Sequence, residues 1–203
     1  MRNLFGLLFF LSFCMAHAQD NSTNISGEEL PYAVIPEPAA EYTAGTVASR
    51  VVDGLGFRYY WATESLRAED LSFKPNESAR TTAETIHHIF QLTSTLKNAC
   101  MGVPNRGGSS VEEMSFEEKR AATLLNIQTA SDILRKSTDE EIASYKIVFM
   151  RKDGSSSEYP FWNLLNGPLA DAIWHVGQVV SFRRSSGNPF NSKVSVLNGK
   201  LRD

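Results

Sequence analysis

Asp171 and His175 stand four residues apart in Asp171-Ala172-Ile173-Trp174-His175-Val176-Gly177-Gln178, a stretch whose pattern is helical. At that spacing a carboxylate and an imidazole lie one above the other on one helix face, and Gln178 falls on the same stripe. Stacked in this way they can hold one divalent metal if a third ligand arrives from another helix, or they can be an ordinary i,i+4 acid–histidine pair that binds nothing. Histidine supply limits the third ligand. The chain has His17, His87, His88 and His175, and His17 lies in what reads as a removable leader. The helix that begins after Thr81 turns Ile86, Ile89, Leu92 and Leu96 to one side. At 100° per residue His88 is on the flank of that side and His87 nearly opposite it. His88 is the better inward ligand and His87 the better solvated residue. Cys100, roughly 18 Å further along such a helix, is too far away to share the ion and reads as a buried small residue or a helix-end thiol.

A His88, Asp171, His175 set would be two neutral imidazoles and one carboxylate. It leaves a divalent ion with net positive charge and open positions, suited to acidifying a bound water or thiol and polarising a carbonyl. Zinc, nickel or iron would all be accommodated, and the ligand types do not choose among them. Gln178 is the candidate to orient a ligand or a metal-bound water, with bracing of a neighbouring helix as the alternative. The chain carries no Gly-x-Ser-x-Gly elbow, no phosphate-binding Gly-rich loop, no HExxH and no paired-cysteine zinc motif.

The elements that would position these groups are helical. The pattern predicts a first helix over 41–66, with Val47, Val51, Leu55, Ala62 and Leu66 as a buried stripe, and Tyr59-Tyr60-Trp61 as core and end packing. Gly54 and Gly56 would let a neighbouring helix come close. Thr81-Thr82-Ala83-Glu84 and Ser115-Phe116-Glu117-Glu118 are capping boxes opening a second and a third helix, the latter running to about Lys136 with Leu124, Ile127 and Leu134 inward. Residues 101–113 are a Gly- and Ser-containing loop, either a pocket rim or a plain connector. An acidic turn over 138–144 precedes a β-hairpin of 145–150 and 158–160 about Asp153-Gly154. The last helix is expected from near Phe161 to Ser185, ended by Gly187, with Arg183 and Arg184 facing the negative end of its dipole.

The segment Trp174-His175-Val176-Gly177-Gln178-Val179-Val180, with Arg183-Arg184 and Gly187-Asn188-Pro189, resembles the last helix of the DinB-like family. Leu71-Ser72-Phe73-Lys74-Pro75 ahead of His88-Ile89 is similar to that family's loop and second helix, and the resemblance spans roughly 42–190. It implies an all-α fold, an up-down four-helix bundle with a small β-hairpin before the last helix, over residues 41–190. It implies a divalent metal held by three side chains, here His88, Asp171 and His175, with Asp171 where the family pattern has histidine. It also implies a metal-dependent enzyme on a small substrate, a hydrolase or thiol S-transferase, needing an apolar pocket opening onto the metal. A non-catalytic metal- or ligand-binding bundle is the alternative. Bundles of this kind often pair as homodimers, although no surface patch can be assigned from sequence.

Arg2, the apolar run Leu4–Met15 and Ala16-His17-Ala18 read as a secretory signal peptide over 1–18, cut near Ala18 and too short to span a bilayer. Phe13 before Cys14 argues against a lipid anchor. The protein is therefore expected in the periplasm or outside the cell, without stable membrane insertion. Residues 19–40 read as a flexible lead-in and 191–203 as an extended or frayed tail. Three N-x-Ser/Thr triplets begin at Asn21, Asn24 and Asn76, relevant only in a glycosylating host. The net charge of −3, without a basic cluster interleaved with aromatics, speaks against a nucleic-acid partner. One cysteine left after cleavage means no internal disulfide, so a packed core must hold the fold.

Overall fold

The computed structural model describes residues 29–107 and 114–203. The expected signal peptide, His17, Cys14, the triplets at Asn21 and Asn24, and the second half of the 101–113 loop lie outside them. The protein is mostly helical, with elements α1 (Ala44–Thr63), α2 (Ala68–Ser72), α3 (Thr82–Cys100), β1 (Asn105–Arg106), α4 (Phe116–Lys136), α5 (Asp139–Ser144), β2 (Lys146–Met150), β3 (Ser156–Pro160), α6 (Phe161–Leu164), α7 (Ala170–Ser185), β4 (Val194–Ser195) and β5 (Lys200–Leu201). A single π-helical turn, Leu165–Leu169, joins α6 to α7.

Local chemistry sets the helix starts. Thr43, Thr81, Ser115 and Thr138 each accept from the backbone N–H three residues on, and the residue there returns the bond. Each reciprocal pair satisfies two donors that a helix start otherwise leaves bare. The segment 138–144, expected as a turn, is thus a short capped helix. At the far end of α7, Gly187 takes φ +82°, and Gly187 and Asn188 donate to the carbonyls of Arg184 and Arg183. This left-handed exit is one that glycine makes without steric cost.

Burial then selects one face of each long helix. Helices α1 and α3 each pack on both α4 and α7, around Val52, Leu55, Tyr59, Ile86, Ile89, Leu96, Leu124, Ile127, Leu134 and Val179, none more than 1% exposed. Cys100 is buried in the same core, and burial pushes its thiol up to about 12. On α1 the buried stripe is Ala48, Val52, Leu55, Tyr59 and Ala62, one residue out of phase with the expected start at Val47 and Val51, which are about half exposed. Gly56 does permit a close approach, but of an aromatic ring rather than a helix: a Cβ there would lie 2.6 Å from the Tyr32 ring.

Tyr32 belongs to residues 29–40, expected to be a flexible lead-in and instead strapped along α1. Its hydroxyl donates to buried Asp53, which also accepts from Ser131 and Arg135 of α4. Trp61 donates to the Ala33 carbonyl and Arg50 to that of Pro36. The tail is held as well. β4 and β5 form a small antiparallel ladder with Val194 buried, and the Ile35 N–H donates to the Gly199 carbonyl at 2.8 Å.

The hairpin is present as β2 and β3, paired from Lys146↔Pro160 to Met150↔Ser156. Asn105–Arg106, read from sequence as loop, add a parallel third strand on β2. Asn105 secures it by donating to the Val148 carbonyl while accepting from Asn98 of α3. The expected continuous helix from Phe161 to Ser185 is interrupted. Gly167 leaves helical geometry (φ −95°, ψ −106°) just before Pro168. Proline supplies no N–H and crowds the preceding turn, so the ladder widens to π spacing there. No described helix is long and apolar enough to cross a membrane.

Candidate metal centre

Helix α7 buries Ala172, Val176, Val179 and Arg183. The rotation that sends this stripe inward puts Asp171, His175 and Gln178 on the neighbouring stripe, facing α3. Arg183 locks the rotation. Its guanidinium is buried and donates to the carbonyls of Trp61, Ala62 and Glu64 at the end of α1 and to that of Asn188. It therefore caps another helix as well as its own exit loop, where sequence suggested an interaction with the α7 dipole alone. Burial lowers its pKa from the ordinary value. Beside it, buried Asp70 accepts from Arg67, Ser186 and Asn188. The Arg67 hydrogen bond, then those of Ser186 and Asn188, hold its carboxyl well below the usual range against the opposing effect of burial. Arg67 and Asn188 thus tie the loop after α7 to the start of α2.

On α3, Ile86, Ile89 and Thr93 point into the core and leave His88 on the flank toward α7. His88, Asp171 and His175 come together: one possible ligand atom from each lies within 4.8 Å of the other two. The carboxylate spans the imidazoles, with Oδ2 at 3.4 Å from His88 Nε2 and Oδ1 at 3.4 Å from His175 Nε2. The ring centroids are 4.8 Å apart and nearly perpendicular. A separation of 3.4 Å is longer than an N–H···O hydrogen bond. Each separation is close to the roughly 3.4 Å edge of a tetrahedral site with bonds of about 2.1 Å, but the two run to different carboxylate oxygens, and with one atom per residue the trio closes to within 4.8 Å. The donor set and its spacing can hold a metal ion.

Two further features prepare the set. Gln178 Oε1 lies 2.7 Å from His175 Nδ1. With the amide oxygen accepting, Nδ1 carries the proton and Nε2 keeps its lone pair toward Asp171. An outer partner of this kind commonly fixes a ligating histidine's tautomer and ring angle. Gln178 thus acts on His175, and among the described residues no hydrogen bond supports the alternative of bracing a neighbouring helix. Asp171, in the first turn of α7, also meets the positive end of the helix dipole. The side chains are 28% (His88), 38% (Asp171) and 15% (His175) exposed, so one side of the cluster faces solvent.

Sequence reasoning missed the surroundings. His87 is outside the cluster, as expected, but it is half-buried rather than solvated and its Nε2 lies 3.0 Å from Gln91 Nε2. Arg80, Glu84, His87, His88 and Gln91 line a small hollow of about 270 Å3 beside the cluster. The spacings Glu84→His88 and His87→Gln91 were the available signal. Among the described residues, the large apolar cavity is not the pocket expected to open onto the metal. The large apolar cavity, about 880 Å3, is lined from α1, α5, α6 and the π turn, and it reaches α7 at Ala170 and Ile173, away from the Asp171–His175 stripe. What abuts the cluster is polar. The fold and site define a mainly helical protein with a half-open His–Asp–His cluster. No protein-family model, curated protein or solved structure matches the chain.

Proposed function

We propose that this chain is an exported, divalent-metal-dependent enzyme of the DinB-like kind, built as an up-down four-helix bundle and acting on a small polar substrate, with hydrolysis the leading reaction class. The pairwise packing of α1, α3, α4 and α7 supports the bundle, and the Arg2-to-Ala18 pattern supports export. The observation that carries the enzyme reading is the 3.4 Å spacing of Asp171 from two imidazole nitrogens on separate helices, with one side of the trio toward water.

A divalent transition ion at this position supplies Lewis acidity toward water or a carbonyl. His88 and His175 bind as neutral donors, Asp171 offsets one charge, and Gln178 fixes the His175 ring. Glu84, His87 and Gln91 offer polar groups beside the ion for orienting a substrate. Thiol transfer is the second chemistry open to such a site. The distance of the apolar cavity from the trio favours a second functional reading, a metal-binding module without turnover.

Elemental analysis of purified protein tests the first step. About one zinc, nickel or iron per chain is expected in wild type and little in a His88→Ala, His175→Ala double variant. Equal metal in both, or none in either, overturns the site. Metal-loaded protein is then assayed with ester, amide and thiol substrates. Retention of metal with no turnover on any of them favours the binding module. Mass measurement of the exported protein should show an N-terminus near Gln19.

A further inference from the structure

Helices α1 and α7 each carry a second stripe beside the one that packs the core. On α1 it is Val47, Val51, Arg58 and Trp61, and on α7 it is Ile173, Gly177, Val180 and Arg184, each set at helical spacing. Val47 and Val51 begin the stripe that the sequence pattern turns inward, yet they are about half exposed. The two stripes line two hollows in succession. The cavity of about 880 Å3 takes Val47, Val51 and Ile173 into its mostly apolar wall. A hollow of about 380 Å3 follows, lined by Arg58, Trp61, Val180 and Arg184 among others. Ile173 lines both, so they form one groove. From Val47 to Arg58 it measures about 16 Å along α1.

We propose that this groove binds a free single-chain carboxylate, with the carboxylate between Arg58 and Arg184 and the alkyl chain laid past Ile173 into the larger hollow. Charge places the head. Arg58 and Arg184 are the only charged residues lining the smaller hollow, and among the described residues neither is paired with a carboxylate. Arg58 donates to the Gly54 carbonyl through one terminal nitrogen, and Arg184 lies over the Phe190 ring at 5.4 Å. Each guanidinium keeps donors for a planar anion, whose two oxygens its fork matches. The other end suits an anion less. Asp139 lines the larger hollow, and the recess beyond Tyr42 sets Glu41 beside Arg50 and Arg135. Those two arginines are engaged, Arg50 with the Pro36 carbonyl and Arg135 with Asp53. Apolar surface places the chain. Val47, Val51, Leu165, Leu169 and Ile173 wall the larger hollow, and each methylene laid against them leaves water. Both hollows fall in the range usual for small-molecule sites, about 300–1,000 Å3. Gly177 keeps the smaller one open: it is part of the lining, and a Cβ built on it meets nothing within 4 Å. At 100° per residue the stripe from Ile173 to Arg184 is on the face of α7 turned away from Asp171 and His175. The site therefore does not rest on metal binding.

Isothermal titration calorimetry of metal-stripped protein with decanoate, kept below its micellar concentration, tests the site. One-to-one binding with a Kd of about 100 μM or tighter is expected. Hexanoate should bind about tenfold or more weakly, since each buried methylene is worth up to about fourfold. The uncharged 1-decanol should also bind more weakly than decanoate. The Arg58→Met, Arg184→Met double variant should lose about tenfold or more in decanoate affinity and hold 1-decanol within about twofold of wild type. Gly177→Met projects into the hollow and replaces a helix glycine with a better helix former, so it should abolish binding of both without lowering Tm. Circular dichroism at matched concentration shows whether each variant remains folded. A wild type that shows no saturable binding of decanoate at roughly 1 mM overturns the proposal. So does decanoate affinity unchanged in either folded variant, or 1-decanol binding as tightly as decanoate. Binding to phosphatidylglycerol vesicles with none to free decanoate assigns the groove to a membrane surface and overturns it likewise.

Discussion

Gln178 separates a prepared metal centre from a chance cluster. Gln178→Met keeps the length and apolar stem of the side chain and removes the acceptor facing His175 Nδ1. The bond removed is short, 2.7 Å, and reaches a ring only 15% exposed, so water replaces it poorly. Without it the imidazole is free to carry its proton on Nε2, the atom needed for the ion, and to swing away from Asp171. Loss of such an outer partner typically weakens metal affinity by about 10–100-fold, or roughly 1.4–2.7 kcal/mol. Gln178→Glu places a carboxylate at the same nitrogen. It should hold or strengthen binding, because a carboxylate partner makes the ligating imidazole more basic. Competition titration against a fluorescent chelator, on apo-protein of each variant, measures both changes. If Gln178→Met and wild type agree within about twofold, the orienting role is refuted, since the typical effect is at least fivefold larger.

Arg183→Met strips donors from three α1 carbonyls in a buried setting, and should cost about 3–5 kcal/mol of unfolding free energy in urea titrations. Asp70 has its pKa depressed in the fold, chiefly by Arg67. It therefore contributes stability that is fully present above the unfolded carboxylate range near pH 4 and is lost as pH falls toward the lower folded value. Asp70→Asn should be less stable at pH 7 by about 1–3 kcal/mol and show a shallower decline between roughly pH 4 and 2 in thermal melts. Cys100, buried and pushed up to about 12, should react with an aromatic disulfide reagent at pH 8 only at the rate of unfolding, and at once in denaturant.

Much of the helical scaffold is visible in local chemistry. The capping boxes at Thr81 and Ser115 start α3 and α4 where expected, because a Thr/Ser and a Glu three residues apart suffice to make them. The choice of His88 over His87 follows from the phase of Ile86 and Ile89, which burial in α3 obeys. Phase fails on α1. Val47/Val51 and Ala48/Val52 are both apolar pairs at i,i+4, and only contact with α4 and α7 decides which turns inward. Residues 29–40 and 191–203 have no period to read; their order comes from single long-range bonds such as Tyr32 to Asp53 and Ile35 to Gly199. The Gly167-Pro168 dipeptide is a break signal inside the helix expected from Phe161 to Ser185, and that expectation passed over it. The cluster itself needed both helices, and its polar setting depended on Arg80, Glu84 and Gln91, whose types alone suggest only a solvated face.

The bond from Ile35 to Gly199 makes the stretches 29–40 and 191–203 neighbours. A short linker between them could make a circular chain, and new ends could then be opened in the Asp153-Gly154 turn with the helices left in their packing. The same adjacency gives each end leverage on the other. Trimming back through Gly199 would remove one of the bonds that hold the Tyr32 strap along α1, so a cut near residue 199 would be felt at residues 29–40.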